Sequence, residues 1–144
     1  MAKILERMEE LQKEGYDIGF DQYPWTAGST GLRVTAPGWA FAGGVDAFEA
    51  RLKDPATYDK IAAETAEILK ERGGGARIQV AAVPESTEDF SWMPGLRMDA
   101  IAQRLGMDEV TAILYILSKT RSSVLCVYHS ISEDDVQMVM RSPY

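Results

Sequence analysis

The hydrophobic patterning of this chain predicts an α/β fold in which helices and strands alternate. Two observations carry the prediction. Near the start, Ile4, Leu5, Met8 and Leu11 recur at helical spacing. After Gly15, Tyr16, Ile18 and Phe20 alternate with Asp17, Gly19 and Asp21, which is the period of a strand. Near the end, the apolar run Ser123–Tyr128 gives way to Ser132-Glu133-Asp134-Asp135-Val136, a strand feeding a capped helix. Helix-then-strand is the beat of a β/α barrel or another wound sheet.

Each element has its own justification. In the first helix, residues 2–14, Lys3, Glu6, Arg7, Glu10 and Lys13 face away from the apolar stripe, and Gly15 suits the C-terminal cap. The strand opening at Tyr16 meets Pro24 and the small residues Thr26-Ala27-Gly28-Ser29-Thr30-Gly31, which stop it. Residues 24–43 read as a long irregular segment whose Trp25 and Trp39 need something to pack on. Val45, Phe48 and Leu52 mark a short helix over 44–53. Asp54-Pro55 then supplies an N-cap and a first-turn proline for a helix running to Arg72. Gly73-Gly74-Gly75 terminates that helix; a glycine-rich phosphate cradle would have to precede a helix instead.

Ala76–Val83 is a second strand, ended by Pro84, and residues 85–95 form a polar loop. Met98–Leu105, Gly106 and Asp108–Lys119 have helix–turn–helix spacing. The second of these helices carries Val110, Ala112, Ile113, Leu114, Tyr115, Ile116 and Leu117, apolar nearly all round. Such a helix is expected in a core and not in a DNA groove. Ser123–Tyr128 is continuously apolar, which predicts a strand covered on both faces, as in a parallel sheet. In the last helix Ser132 is the cap, Ile131 and Val136 a hydrophobic staple, and Val136, Val139 and Met140 the buried stripe.

Composition narrows the function classes. With 144 residues and 46% hydrophobic content the chain is expected to form one compact body. A formal charge of −7 argues against a nucleic-acid partner. No run approaches the roughly 20 apolar residues of a membrane helix. The charged amphipathic start is not a signal peptide, and a single cysteine cannot form an internal disulfide, so a cytoplasmic protein is expected. His129 and Cys126 are the only histidine and cysteine, and no Cys-x-x-Cys, His-x-His or His-Glu-x-x-His spacing occurs. A self-contained metal site is therefore not expected.

The string Asp21-Gln22-Tyr23-Pro24-Trp25-Thr26-Ala27-Gly28-Ser29-Thr30-Gly31-Leu32 resembles a segment of the N-acyl-D-amino-acid deacylases (D-aminoacylases). These belong to the metal-dependent amidohydrolase superfamily. In them an Asp-x-Tyr-Pro-Tyr-x-Ala-Gly-Ser-Thr run follows a late strand of a TIM-type barrel; Trp25 stands where the family has its second tyrosine. Val127 to Val136 resembles the family's strand leading into a Met-Ser-Glu-Glu-Asp-Val-like helix start, and Gly95 to Ala102 more loosely resembles its Gly-Lys-Ser-Leu-like step.

The resemblance implies a partial TIM-type barrel segment: two late strands with their helices, in 1–39 and 120–144, carrying a mostly helical insert with one strand, 40–119. It implies an internal piece of a larger zinc-dependent deacylase of N-acyl-D-amino acids. The family's early His-x-His-type strand and its Gly-Ser-Asp strand would lie outside it. By the same resemblance Tyr23 is the catalytic electrophile that hydrogen-bonds the scissile carbonyl, and Ser29 binds the substrate, meeting its carboxylate. From the residues alone, Tyr23 equally anchors a turn and Ser29 caps its own backbone. Asp21 shares the strand face of Tyr23 and either orients it or plays a structural part. His129 is expected to be structural and Cys126 to be core.

Zinc thus belongs to the parent enzyme and none to this chain, which is expected to be inactive alone. Cut barrel strands are expected to self-associate. A different class of function, a non-catalytic helical module docking a protein through the apolar helix 108–119, is the alternative. A reading frame extending both ways, with His-x-His upstream and Gly-Ser-Asp downstream, separates the two.

Overall fold

Six α-helices and a small three-stranded sheet make up residues 2–86 and 88–143, the residues described in the computed structural model. The class is therefore mixed α/β. In chain order the elements are α1 Ala2–Lys13, β1 Gly28–Gly31, α2 Val45–Leu52, α3 Pro55–Glu71, β2 Ile78–Ala82, α4 Met98–Leu105, α5 Glu109–Lys119, β3 Leu125–Tyr128 and α6 Glu133–Met140. The contacts group the chain into two compact units, Met1–Gly28 with Ser130–Tyr144, and Ser29–His129.

The larger unit, 29–129, holds the core. Its sheet runs in the order β1–β3–β2, and β2 and β3 are antiparallel, pairing Ile78 with Tyr128 and Val80 with Cys126. The parallel, doubly covered strand expected over Ser123–Tyr128 is not what forms. Burial along β3 alternates, with Leu125 44% exposed beside a fully buried Cys126. An antiparallel sheet covered on one face needs only that alternation.

Phe48 from α2, Ile61 and Leu69 from α3, Ile101 from α4 and Ile113, Leu114, Ile116 and Leu117 from α5 close over the sheet. Each such side chain contributes roughly 1.5–3 kcal/mol by leaving water. The α5 helix thus places five of its apolar side chains in this core, while Val110 and Tyr115 stay half-buried.

Helix ends follow the local chemistry. The Asp54 carboxylate accepts from the Thr57 amide at 2.9 Å with Pro55 just inside the helix, and Asp108 caps α5 through the Thr111 amide at 2.9 Å. The α3 helix stops at two glycines with φ of 85° and 84°, Gly73 and Gly74, a region other residues enter only with strain. Gly75 is required for a different reason. A Cβ there would lie 2.9 Å from both the Asp99 amide nitrogen and the Glu109 carboxylate carbon, while its own amide donates to that carboxylate at 2.9 Å.

The smaller unit is built differently. The α1 helix contains no buried residue, and Ile4 of its stripe is 58% exposed. After it, Gly15 and Tyr16 donate to the carbonyls of Gln12 and Leu11, ending the helix as the glycine suggested. The strand expected from Tyr16 does not form: residues 16–23 carry no regular secondary structure. A strand exists only when a neighbour takes its amides and carbonyls. Here the Gln12 side chain reaches one of them, Ile18 O, at 3.1 Å. The α6 helix starts as anticipated, the Ser132 hydroxyl accepting from the Asp135 amide at 3.0 Å, and it buries Val136 and Val139. Among the described residues, no helix is long and apolar enough to cross a membrane.

Candidate functional site

Tyr23 lies in the smaller unit, in the irregular stretch that follows α1. Its side chain is 63% exposed, and its hydroxyl has no protein partner among the described residues. With Asp21, Gln22 and Ile131 it lines an open hollow of about 330 Å³. The loop is pinned from outside: the Ile131 amide donates to Thr26 O at 3.2 Å. Gln22 reaches forward to Tyr23 O at 2.9 Å. Asp21 lines the same hollow.

Ser29 opens the larger unit at the start of β1. Its hydroxyl donates to Cys126 O at 3.2 Å across to β3, which ties β1 to the sheet. The proton is thus engaged with the backbone while the oxygen stays at an exposed position. Tyr23 and Ser29 therefore fall in different compact units, each held by its own local contacts.

His129 and Cys126 are occupied structurally. His129 Nε2 is 3.1 Å from Gln79 Oε1, and the backbone of His129 exchanges hydrogen bonds with Arg77, amide to Arg77 O at 2.9 Å and carbonyl from Arg77 Nη1 at 3.1 Å. Burial, with the charges of Arg97 and Arg77, lowers the imidazole pKa. The ring is then neutral near pH 7 and, against a carbonyl acceptor, carries its proton on Nε2. Burial pushes the Cys126 thiol up to about 12, so it is neither a nucleophile nor a thiolate ligand.

The residues present do not fit a zinc site. Among the described residues no group of three or more His, Cys, Asp or Glu side chains is placed to hold a metal ion, and the two softest donors are already engaged.

Two polar clusters escaped the sequence reading. Tyr115, counted there as one of α5's apolar residues, donates its hydroxyl to Glu88, whose carboxylate also pairs with Lys119 at 3.0 Å. This ties the 84–97 loop to α5. The second cluster gathers Arg33, Glu71 and Arg72 around a cavity of about 630 Å³. No spacing rule joins residues 33 and 72; only folding does. Of the loop tryptophans, Trp39 finds cover under Lys60, with its indole donating to Glu64 at 2.7 Å, while Trp25 stays 69% exposed.

In comparisons with known proteins, the chain matches no family model, no curated protein and no solved structure.

Proposed function

We propose that this chain is the substrate-facing part of a metal-dependent amidohydrolase that hydrolyses the amide bond of N-acyl-D-amino acids. A single observation carries the reading: the contiguous string Asp21 to Leu32, with its tyrosine, proline, glycines and hydroxyls in the order the deacylases use. In this reading residues 16–23, irregular here, become a late strand of a TIM-type barrel only when the parent enzyme supplies the neighbouring strand. There β3 pairs in a way other than its antiparallel pairing with β2, and the zinc is held by residues outside this chain. The protein is cytoplasmic.

The chain's own part is positioning. Tyr23 presents a phenol hydroxyl with no competing protein acceptor, suited to donate to an amide carbonyl oxygen as negative charge develops on it. Ser29 keeps its oxygen at the surface of β1, suited to meet the substrate's carboxylate once its hydroxyl turns from Cys126 O. The exposed side chains of Ile4, Tyr16, Tyr23, Trp25 and Met140 are the surface the parent covers, and they favour self-association of the isolated chain.

The decisive experiment is to extend the reading frame and assay its product. A frame carrying His-x-His upstream and Gly-Ser-Asp downstream is expected, with zinc-dependent release of D-amino acids. In that enzyme Tyr23→Phe is expected to lower kcat roughly a hundredfold with little change in KM, and Ser29→Ala to raise KM. A frame without those motifs, or hydrolysis of an N-acyl-D-amino acid by the 144-residue chain with added zinc, overturns the reading.

A further inference from the structure

We infer that the cavity between the first turn after β1 and the end of α3 is a binding site for a small monocarboxylate with an apolar body. The site lies wholly within the larger unit and stands whether or not the deacylase reading holds. It is an open hollow of about 630 Å³.

Two arginines, Arg33 and Arg72, line this space. Arg33 is exposed at the rim and meets only the Phe41 ring, at 5.1 Å. Arg72 is half-buried. Its Nη2 donates to Val34 O at 3.3 Å and its guanidinium lies 5.3 Å from the centre of the Tyr128 ring. Its Nε is shut off from water with no hydrogen-bond partner at all. Neither arginine forms an ion pair with any described residue. A partly desolvated charge without a counter-ion is unfavourable, and a guanidinium fork matches a carboxylate in two parallel hydrogen bonds. An anion seated here supplies the counter-charge that neither arginine has among the described residues.

The remaining walls choose among anions. Val34, Phe41 and Ile68 are apolar and take a hydrocarbon or aromatic body. Glu71, which also lines the cavity, sets one negative charge against the two positive ones. One net positive charge is balanced by a monoanion, whereas a dianionic phosphate brings repulsion from Glu71. The chemistry recognised is therefore a single carboxylate on an apolar group.

Titration calorimetry on the whole chain tests this with octanoate, octanol and inorganic phosphate as probes. Saturable octanoate binding is expected, with octanol and phosphate each at least ~10-fold weaker, the loss of one charge-assisted contact or the gain of one repulsion. Arg33 is exposed, so Arg33→Gln should leave the fold intact by circular dichroism and weaken octanoate ~10-fold. Glu71→Gln should narrow the gap between phosphate and octanoate. Equal binding of octanol and octanoate, unaltered octanoate affinity in Arg33→Gln, or no saturable octanoate binding overturns the site.

Discussion

The two units make the same promises in sequence and keep them differently. The helix α1 offers an apolar stripe, Ile4, Leu5, Met8 and Leu11, as regular as the one that α3 offers in Ile61, Ile68 and Leu69. Yet α1 buries nothing, while α3 buries Ile61, Thr65 and Leu69. Every member of the hydrophobic core cluster lies between Leu32 and Tyr128. In the smaller unit the buried residues among those described are Val136 and Val139. Periodicity tells which face of an element is apolar; whether anything covers that face is a property of the rest of the structure.

The sharpest way to break the comparison is to make matched truncations. Phe48→Ala removes a fully buried ring stacked 4.3 Å from Phe41 and is expected to cost about 3–5 kcal/mol in urea unfolding. Leu5→Ala, on the half-buried stripe of α1, should cost less, about 1 kcal/mol. Equal losses would show that α1 is packed in solution.

Next in size is Gly75→Ala. The added methyl meets a backbone nitrogen and a carboxylate at 2.9 Å, so a loss of about 1–3 kcal/mol is expected, read as a lower melting temperature. Smaller again are the caps. Asp108→Ala and Ser132→Ala each remove one side-chain acceptor from a helix N-terminus, worth about 1 kcal/mol. For Asp108 the loss should appear in global unfolding. For Ser132 it should appear chiefly as faster amide exchange in α6, because that unit has little core to couple it to the rest.

The smallest effect is on acid sensitivity. Hydrogen bonds from Thr111 hold the Asp108 carboxyl below its ordinary pKa, and those from Thr57 do the same for Asp54. A carboxyl whose folded pKa is depressed contributes fully above the ordinary value, about 4, and loses its contribution as pH falls through the folded one. Stability of the larger unit should therefore decline below about pH 4, and Asp108→Asn should flatten part of that slope in a pH series of urea melts. The Ser132 hydroxyl that caps α6 does not titrate, so that cap is indifferent to the same change.

Local chemistry was the most legible part. The Asp54-Pro55 start, the glycine stop at residues 73 and 74, the Ser132 cap and the bounds of α4 and α5 all depend on a residue's own hydrogen bonds or φ preference, and all appear where expected. The turn after α5 was not legible. Arg121 and Ser122 adopt φ of 49° and 59° without glycine, held in part by the Ser122 amide reaching Leu117 O at 2.9 Å. The candidate site divides the same way. Tyr23 and Ser29 were singled out by a string of neighbours in sequence, and the Arg33–Arg72 cavity by nothing local.

By itself, then, the sequence determined helix ends, the apolar faces and the commitment of α5 to a core, because each follows from interactions within a few residues. Tertiary structure alone decided that Tyr16–Tyr23 is not a strand and that β3 pairs antiparallel with β2. It also decided that two arginines 39 positions apart share one cavity. Strand pairing and charge neighbours depend on which distant segment arrives alongside, and the chain's local pattern does not encode that arrival.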